Sequence, residues 1–157
     1  VRNSLRNPDI RVEVNDRYDE FYPILMKNKA RHNTRPTHSL EDLLRLRELL
    51  PERLKLFMLY HRDIPVAGTL MFFANRTVAL CFYNMLLYEY DHIKPVDRLM
   101  YEAVRDAESS GYRFVDIGVS QETAAENPMT PRLSLIEYKE NFDARTVMRN
   151  TFRYRFG

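Results

Sequence analysis

The sequence is poor in several features that each mark a particular class of protein. Its 157 residues include one cysteine, four glycines and no tryptophan. One cysteine excludes a disulfide-stabilised scaffold, and no Cys-x-x-Cys pair or Cys/His cluster is present to hold zinc or another metal. No apolar run approaches the ~18 residues of a membrane span, and no signal-peptide pattern opens the chain. We therefore expect a cytoplasmic protein without a membrane span or a bound metal.

The composition is that of a globular chain. Hydrophobic residues make up 45%, including nine phenylalanines and ten tyrosines, which excludes intrinsic disorder. The net charge of +2 is too weak to imply a nucleic-acid partner by itself. The length predicts one domain over residues 1–157. Because the first residue is Val1 and not Met, we expect the chain to be processed, trimmed or cut from a longer protein.

The first third of the chain predicts one strand and two helices. Residues 10–14 alternate apolar and polar side chains, as a half-buried strand does. Asp16 is placed to cap a helix over residues 17–32. Ser39 and Asp42 have the spacing of a capping box, with Asp in place of Glu, and the helix they open ends at Pro51.

The middle of the chain changes to a strand pattern. We predict an antiparallel meander of three strands over residues 54–60, 65–74 and 77–84, with Asn75 and Arg76 forming a two-residue hairpin turn. The second and third strands are apolar at successive positions, which indicates a sheet covered on both faces.

The last third predicts a helix, a strand, a helix and a strand. The elements are a helix from Pro95 to Ser109, a strand over 112–118, a helix over 133–142 and a terminal strand over 146–156. A helical crossover between the third meander strand and strand 112–118 makes that pair parallel. The predicted fold is therefore α/β (α+β), with a mixed, mostly antiparallel sheet, one parallel strand pair and helices on both faces.

Five segments in this order resemble the GNAT acyltransferase superfamily, and more specifically its FemAB-like branch. They are Pro36-Thr-His-Ser-Leu40, Ile64-Pro-Val-Ala-Gly-Thr-Leu70, Tyr101-Glu-Ala-Val104, Gly111-Tyr-Arg-Phe-Val-Asp-Ile-Gly118 and Leu135-Ile-Glu-Tyr-Lys-Glu-Asn-Phe142. The match covers roughly residues 20–145. The resemblance implies an acyltransferase, and since FemAB-type proteins carry two such domains, it also implies that this chain is one half of a longer protein.

The resemblance departs from the GNAT pattern at the donor-binding turn. GNAT enzymes have a Gly-rich turn after the third meander strand, where backbone N–H groups cradle the pyrophosphate of acyl-CoA. Here the segment reads Asp91-His-Ile-Lys-Pro-Val-Asp97, with no glycine. Lys94 is left as a point charge for a phosphate. FemAB-type enzymes also lack the turn and use aminoacyl-tRNA, so acyl-CoA and aminoacyl-tRNA both remain candidate donors.

In the GNAT architecture the parallel strand pair parts at its carboxyl ends and holds the acyl donor between them. The predicted cleft is lined by Phe82, Tyr83 and Asn84 from one strand and by Asp116, Gly118 and Ser120 from the other. Asn84 and Ser120 are equally explained as strand-end caps and turn formers.

Three residues are predicted to take part in the chemistry. Lys139 matches the lysine of the FemAB "F-K-x-x-F" helix and would stabilise negative charge at a phosphate or carbonyl oxygen, although a helix lysine is ordinarily solvated. Tyr138 is similar to the general-acid tyrosine of GNAT enzymes, but its register differs by one residue, and the favoured alternative is a core or rim tyrosine. Asp116 would act as a base if burial raised its pKa, and the favoured alternative is a hydrogen-bond anchor for the loop after Gly118.

The remaining polar residues carry weaker signals. The four histidines have no metal spacing and are expected at the surface, and Cys81 is expected to be inert core. Arg149, Arg153 and Arg155 alternate with aromatic residues in the terminal strand. This pattern has two interpretations: contact with RNA, or a half-buried strand with its aromatic side in the core and its arginines in water.

We predict transfer of an acyl or aminoacyl group to a small-molecule or peptide amine. The alternatives are a non-catalytic binding module, a partner half of a larger enzyme, and an RNA-binding domain; tRNA and a second GNAT-like domain are the implied macromolecular partners.

Overall fold

The computed structural model of the chain describes residues 2–122, 125–127, 129–147 and 154–155. These residues fall into two compact units, Val1–Gly118 and Val119–Gly157. The two units are described separately below.

The first unit contains five strands and four α-helices. The strands are β1 (Ile10–Asn15), β2 (Leu54–His61), β3 (Ile64–Phe72), β4 (Val78–Leu86) and β5 (Phe114–Asp116). The helices are α1 (Arg2–Leu5), α2 (Tyr18–Arg31), α3 (Leu40–Leu49) and α4 (Pro95–Ser109), with a 3-10 helix at Tyr88–Ile93 before α4. The sequence pattern did not predict α1 or the 3-10 helix.

The five strands form one sheet in the order β1-β2-β3-β4-β5. The first three pairings are antiparallel, and β4 pairs with β5 in parallel after the α4 crossover. The predicted mixed sheet with one parallel pair is confirmed. Strand β5 is shorter than predicted, since it spans three residues of the segment 112–118, and β4 is longer, since it continues to Leu86.

Helices cover both faces of this sheet, as the apolar strand runs predicted. On one face α2 and α3 pack against alternate residues of the central strands, among them Leu56, Met58 and Leu70. On the other face α4 packs against the residues between them, among them Phe57, Leu59 and Met71. Burial of two apolar faces explains why β2 and β3 lack the polar alternation of a one-sided strand.

The loop before α3 ends in the predicted capping box. The Asp42 N–H donates to the Ser39 hydroxyl over 3.1 Å, and the Ser39 N–H donates to the Asp42 carboxylate over 2.8 Å. The predicted Asp16 cap of α2 is wrong, because residue 17 occupies the cap position and makes no side-chain cap bond. The Asp16 carboxylate instead accepts from the Arg47 guanidinium at 2.5 Å, which ties the start of α2 to α3.

The two hairpins differ in their turns. Arg62 and Asp63 lie in the left-handed region (φ 50° and 69°), as a tight two-residue turn between β2 and β3 requires. The predicted two-residue turn between β3 and β4 is wrong, because the strands stop at Phe72 and Val78. The Asn75 side chain accepts the N–H groups of residues 77 and 78, and it thereby holds the chain in a wider loop.

The second unit contains helix α5 (Leu133–Glu140), two residues shorter than predicted. An isolated antiparallel bridge joins Gln121 to Pro131 before it. Most of the predicted terminal strand over 146–156, with its arginines 149 and 153, lies outside the described residues; its described parts, 146–147 and 154–155, are not in a strand.

Gly68 in β3 permits the close approach of α2 to the sheet. A Cβ at this position would overlap the Phe21 ring, with Cε2 at 2.9 Å, and would meet the Met58 sulfur at 3.0 Å. Phe21 and Met58 are both fully buried, so neither side chain can turn into solvent.

Gly68→Ala should therefore destabilise the protein by about 1–3 kcal/mol through overpacking. Denaturant unfolding measures this change, with Phe21→Leu as the matched control. In the double variant the smaller side chain at position 21 leaves room for the new methyl group. The double variant should therefore lose less stability than the sum of the losses in the two single variants. Strictly additive costs, or a Gly68→Ala variant as stable as the parent, would contradict the proposed contact.

Candidate functional site

The parallel strands β4 and β5 separate after a short paired stretch. They are paired at three positions only, from Val78 opposite Phe114 to Leu80 opposite Asp116. Strand β4 continues for six more residues, 81–86, and over these its only strand partner among the described residues is β3. An unpaired strand edge presents backbone N–H and C=O groups to any extended ligand laid beside it.

A β-bulge lies within this unpaired stretch of β4. Leu70 is opposite Tyr83 and Met71 is opposite Cys81, so Phe82 has no partner in the register. The extra residue places Phe82 and Tyr83 together on the α2–α3 face, where both pack with that core.

The three residues predicted on this strand are therefore next to one another at the unpaired edge, but they differ in surroundings. The Tyr83 side chain is buried, and the Phe82 ring packs on the ring of Phe72 at 6.1 Å. The Asn84 side chain accepts a 2.7 Å hydrogen bond from the Thr69 hydroxyl, which ties β4 to β3. This bond agrees with the structural interpretation of Asn84, and ligand binding by all three residues stays a prediction.

The hydroxyl of Tyr83 belongs to a polar cluster that the sequence did not predict. It lies 3.0 Å from Nδ1 of His38 and 2.9 Å from the hydroxyl of Thr37. The Thr37 hydroxyl is in turn 3.0 Å from the same Nδ1 atom. His38 is partly exposed, as expected of a histidine near the surface, and its ring also packs against that of Phe82. The only sequence signal was its position inside the Pro36–Leu40 segment.

The connection from β4 to α4 differs from a phosphate-binding turn. Lys94 takes the left-handed conformation (φ 52°) at the start of α4, and its ammonium pairs with the Asp91 carboxylate at 3.1 Å. Pro95 is the first helical residue and has no N–H to donate. Asp97 follows in the same turn and is half-buried, and burial raises the pKa of its carboxyl above the usual range despite the nearby Lys94 cation.

These residues do not fit the pyrophosphate of acyl-CoA at this helix end. A helix N-terminus binds anions through free N–H groups and its positive dipole. Here proline removes one donor, two carboxylates stand within the segment 91–97, and the lysine is already paired with one of them. The unpaired edge of β4, in contrast, suits an amide-containing extended chain.

Asp116 ends β5 and acts as an anchor in this structure. Its carboxylate accepts the N–H of Gly118 over 2.7 Å, and Gly118 has φ +77°. A left-handed turn of this kind is stabilised by an Asp side chain two residues earlier. Asp116 is exposed, so the burial that its use as a base would require is lacking.

Lys139 organises the second unit. Its ammonium, on α5, donates to the Val119 carbonyl at 2.7 Å and to the Ser120 hydroxyl at 2.9 Å, and the residue is buried. Ser120 also accepts, through its carbonyl, the N–H of Arg132 just before α5. Lys139 thus fixes the segment that directly follows Gly118 in the chain, and the expectation of a solvated helix lysine does not hold.

Tyr138 precedes Lys139 on α5 and is half-buried. Its ring meets that of Phe142 edge-on, with 5.3 Å between the centroids. This contact agrees with the interpretation of Tyr138 as a core or rim tyrosine, and its role as a general acid stays a prediction.

Within the described part of the chain, no three His, Cys, Asp or Glu side chains are grouped so as to hold a metal ion. None of the helices described is long and apolar enough to cross a membrane.

Comparison with known proteins identifies the family. A family model described as an acetyltransferase (GNAT) domain matches residues 1–140. The chain therefore belongs to the GNAT acetyltransferase domain family. A comparison with curated proteins found no match.

Solved structures with this fold include several acetyltransferases. One from Trypanosoma brucei aligns over 94% of this chain and 100% of its own at 13% identity, with a TM-score of 0.62. An aminoglycoside acetyltransferase from an uncultured soil metagenomic sample, in complex with trehalose, aligns over 96% and 99% at 11% identity, with a TM-score of 0.66. A GNAT family acetyltransferase from Elizabethkingia anophelis with acetyl-CoA bound aligns over 86% and 76% at 9% identity, with a TM-score of 0.56. At these identities the likeness shows a shared fold.

The raised pKa of Asp97 predicts a pH dependence of stability that can be isolated by mutation. The folded form keeps the Asp97 proton to a higher pH than the unfolded chain, whose carboxyl titrates near 3.8. The contribution of Asp97 to stability therefore falls as pH rises from that value through the folded pKa.

As pH rises from about 3 to about 7, Asp97→Asn should accordingly become more stable relative to the parent. These limits lie roughly one unit below and three units above the ordinary carboxyl pKa. Denaturant unfolding at each pH measures it. Glu108→Gln, which removes an exposed carboxylate near the other end of α4, is the control. A difference that does not change with pH, or changes in the opposite direction, would contradict the burial argument.

Proposed function

We propose that this chain transfers an acyl or aminoacyl group from a thioester or aminoacyl-tRNA donor to the nitrogen of an amine. The observation that carries the proposal is the separation of β4 and β5 after three paired residues, which leaves residues 81–86 of β4 without a strand partner on that edge. Membership of the GNAT acetyltransferase domain family supports acyl transfer as the reaction class.

The amine acceptor is proposed by analogy with proteins of the same fold. Two of them are aminoglycoside acetyltransferases, one solved with sisomicin. We propose a small-molecule or peptide amine for this chain, held beside the α2–α3 face of β4, where Phe82 and Tyr83 lie.

The donor is proposed from the turn before α4. A structural neighbour has acetyl-CoA bound, which supports a thioester donor. The proline and the carboxylates of Asp91 and Asp97 argue against recognition of a pyrophosphate at this helix end. We therefore propose that the extended part of the donor is recognised by the β4 edge, and that an aminoacyl-tRNA donor, as in the FemAB-like branch, is the candidate to test against acyl-CoA.

This proposal predicts that the pyrophosphate of a CoA donor contributes little. We expect kcat/KM for acetyl-CoA and for acetyl-pantetheine to agree within about threefold, or ~0.7 kcal/mol. The measurement is acetyl transfer to a panel of primary amines, beside a parallel assay with charged tRNA.

A preference for acetyl-CoA well above threefold would contradict the argument that this helix end does not recognise a pyrophosphate. Transfer from charged tRNA alone would identify the aminoacyl donor. If neither donor is used and neither raises the melting temperature, the non-catalytic binding module, which the Asp91–Asp97 segment favours, replaces the acyltransferase.

We further propose that Lys139 is a positioning residue for this reaction. It holds Val119 and Ser120, the residues that follow the end of β5, through two hydrogen bonds. Lys139→Ala should lower kcat by about tenfold or more, because removal of this buried charged donor leaves the Val119 carbonyl and the Ser120 hydroxyl without their partner.

Lys139→Arg is the matched variant, since it keeps the charge and should restore part of kcat while KM for the amine changes little. The steady-state assay described above separates kcat from KM. Turnover by Lys139→Ala equal to that of the parent would remove Lys139 from the reaction.

A further inference from the structure

His38 lies against the stretch of β4 that has no β5 partner. Its ring centroid is 5.3 Å from that of Phe82 and 6.2 Å from that of Tyr83, the two residues at the bulge. The ring is half-buried, so it is held by neighbours and still reached by a ligand. Its position next to the proposed donor edge distinguishes it from the other three histidines.

The backbone of His38 is held from both sides. The Tyr22 hydroxyl on α2 donates to its carbonyl at 3.4 Å, and the following residue, Ser39, begins the capping box of α3. The side chain is held through Nδ1, which lies 3.0 Å from each of two hydroxyls, those of Thr37 and Tyr83. A ring fixed in this way keeps its second nitrogen in a constant direction.

The cluster accommodates the tautomer of His38 that carries its proton on Nδ1. The Tyr83 hydroxyl is 2.9 Å from that of Thr37 and can donate its proton to it. Both oxygens can then accept the proton of Nδ1, since a hydroxyl has two acceptor positions. With Nδ1 protonated, Nε2 has a free lone pair, and among the described residues nothing hydrogen-bonds to it.

We propose that His38 is the general base for the amine acceptor, an inference that rests on the proposed acyl transfer. The amine nitrogen attacks the donor carbonyl carbon, and a nitrogen–carbon bond forms. Nε2 of His38 takes the proton that the nitrogen must lose. The bond from the carbonyl carbon to the donor sulfur or oxygen breaks, and this leaving group keeps the bonding electron pair and takes a proton from solvent. His38 returns its own proton to solvent, so no net proton is gained or lost.

Charged and titratable groups from three elements lie around His38 and its partner Tyr83. Tyr22 and Lys29 come from α2, Asp42 from α3 and Tyr83 from β4; the Lys29 ammonium is 5.9 Å from the Tyr83 ring centre. The Ser39 N–H lowers the pKa of the Asp42 carboxyl most, with smaller contributions from the Ser39 hydroxyl and from His38. The Asp42 carboxylate therefore stays negatively charged at neutral pH.

The first test is kinetic. His38→Gln should lower kcat by about 100-fold or more, the usual contribution of a general base, and should abolish the fall in kcat/KM at low pH. His32→Gln is the matched control, because His32 also bonds a tyrosine hydroxyl, that of Tyr88 at 2.8 Å, but from the end of α2. The control should keep both the rate and the pH profile of the parent.

The outcomes of this test separate the two proposals. If the parent transfers acyl groups and His38→Gln keeps its rate, or loses rate but keeps the same fall at low pH, the base assignment is overturned and the acyltransferase proposal stands. If the parent transfers no acyl group from any donor, both proposals are overturned.

The second test needs no activity and uses the unaltered protein. The nitrogen-15 chemical shifts of neutral His38 should show Nδ1 protonated and Nε2 without a proton. A His38 ring with its proton on Nε2 would overturn the assignment. This measurement remains decisive if the glutamine variant fails to fold.

Discussion

The contact between β4 and β5 is limited to three paired residues on each strand, although β4 is nine residues long. Strand β4 does not need a longer partner on that side, since β3 pairs with it along most of its length and both of its faces are packed against helices. The sheet is thus complete without a second strand beside residues 81–86, and within this stretch the Leu86 carbonyl accepts a hydrogen bond from the Asn28 side chain of α2 at 3.1 Å. The site depends on this separation, because only a strand held firmly on one edge can leave the other edge to a ligand.

Much of the fold could be predicted because its elements carry local signals. The Ser39–Asp42 cap and the proline at the start of α4 act on their own neighbours, and two apolar strand faces require cover on both sides. The errors occur where a side chain had several possible partners. Asp16 could cap α2 or pair with Arg47, and Asn75 could form a tight turn or accept two backbone N–H groups; only the folded geometry decides between them.

The candidate site was predictable to the extent that topology determines it. A crossover through α4 requires a parallel pair, and the carboxyl end of the first strand then points to Phe82, Tyr83 and Asn84. His38 could not be found in this way, because Tyr83, its partner, is 45 residues away in sequence and belongs to a different element. The contacts of Lys139 are likewise a matter of packing, although its place on a helix and its residue type were evident.

The missing side chain at Gly68 also sets the thickness of one layer of the molecule. Helix α2 rests with the Phe21 ring directly above the β3 backbone, and the chain that leaves this helix carries Thr37 and His38 to the neighbouring strand. A larger residue at position 68 would push the Phe21 ring, and with it α2, away from the sheet. Gly68 thus supports the packing of the helix that precedes the Thr37–His38 segment, although it lies on a different strand from Tyr83 and has no functional group of its own.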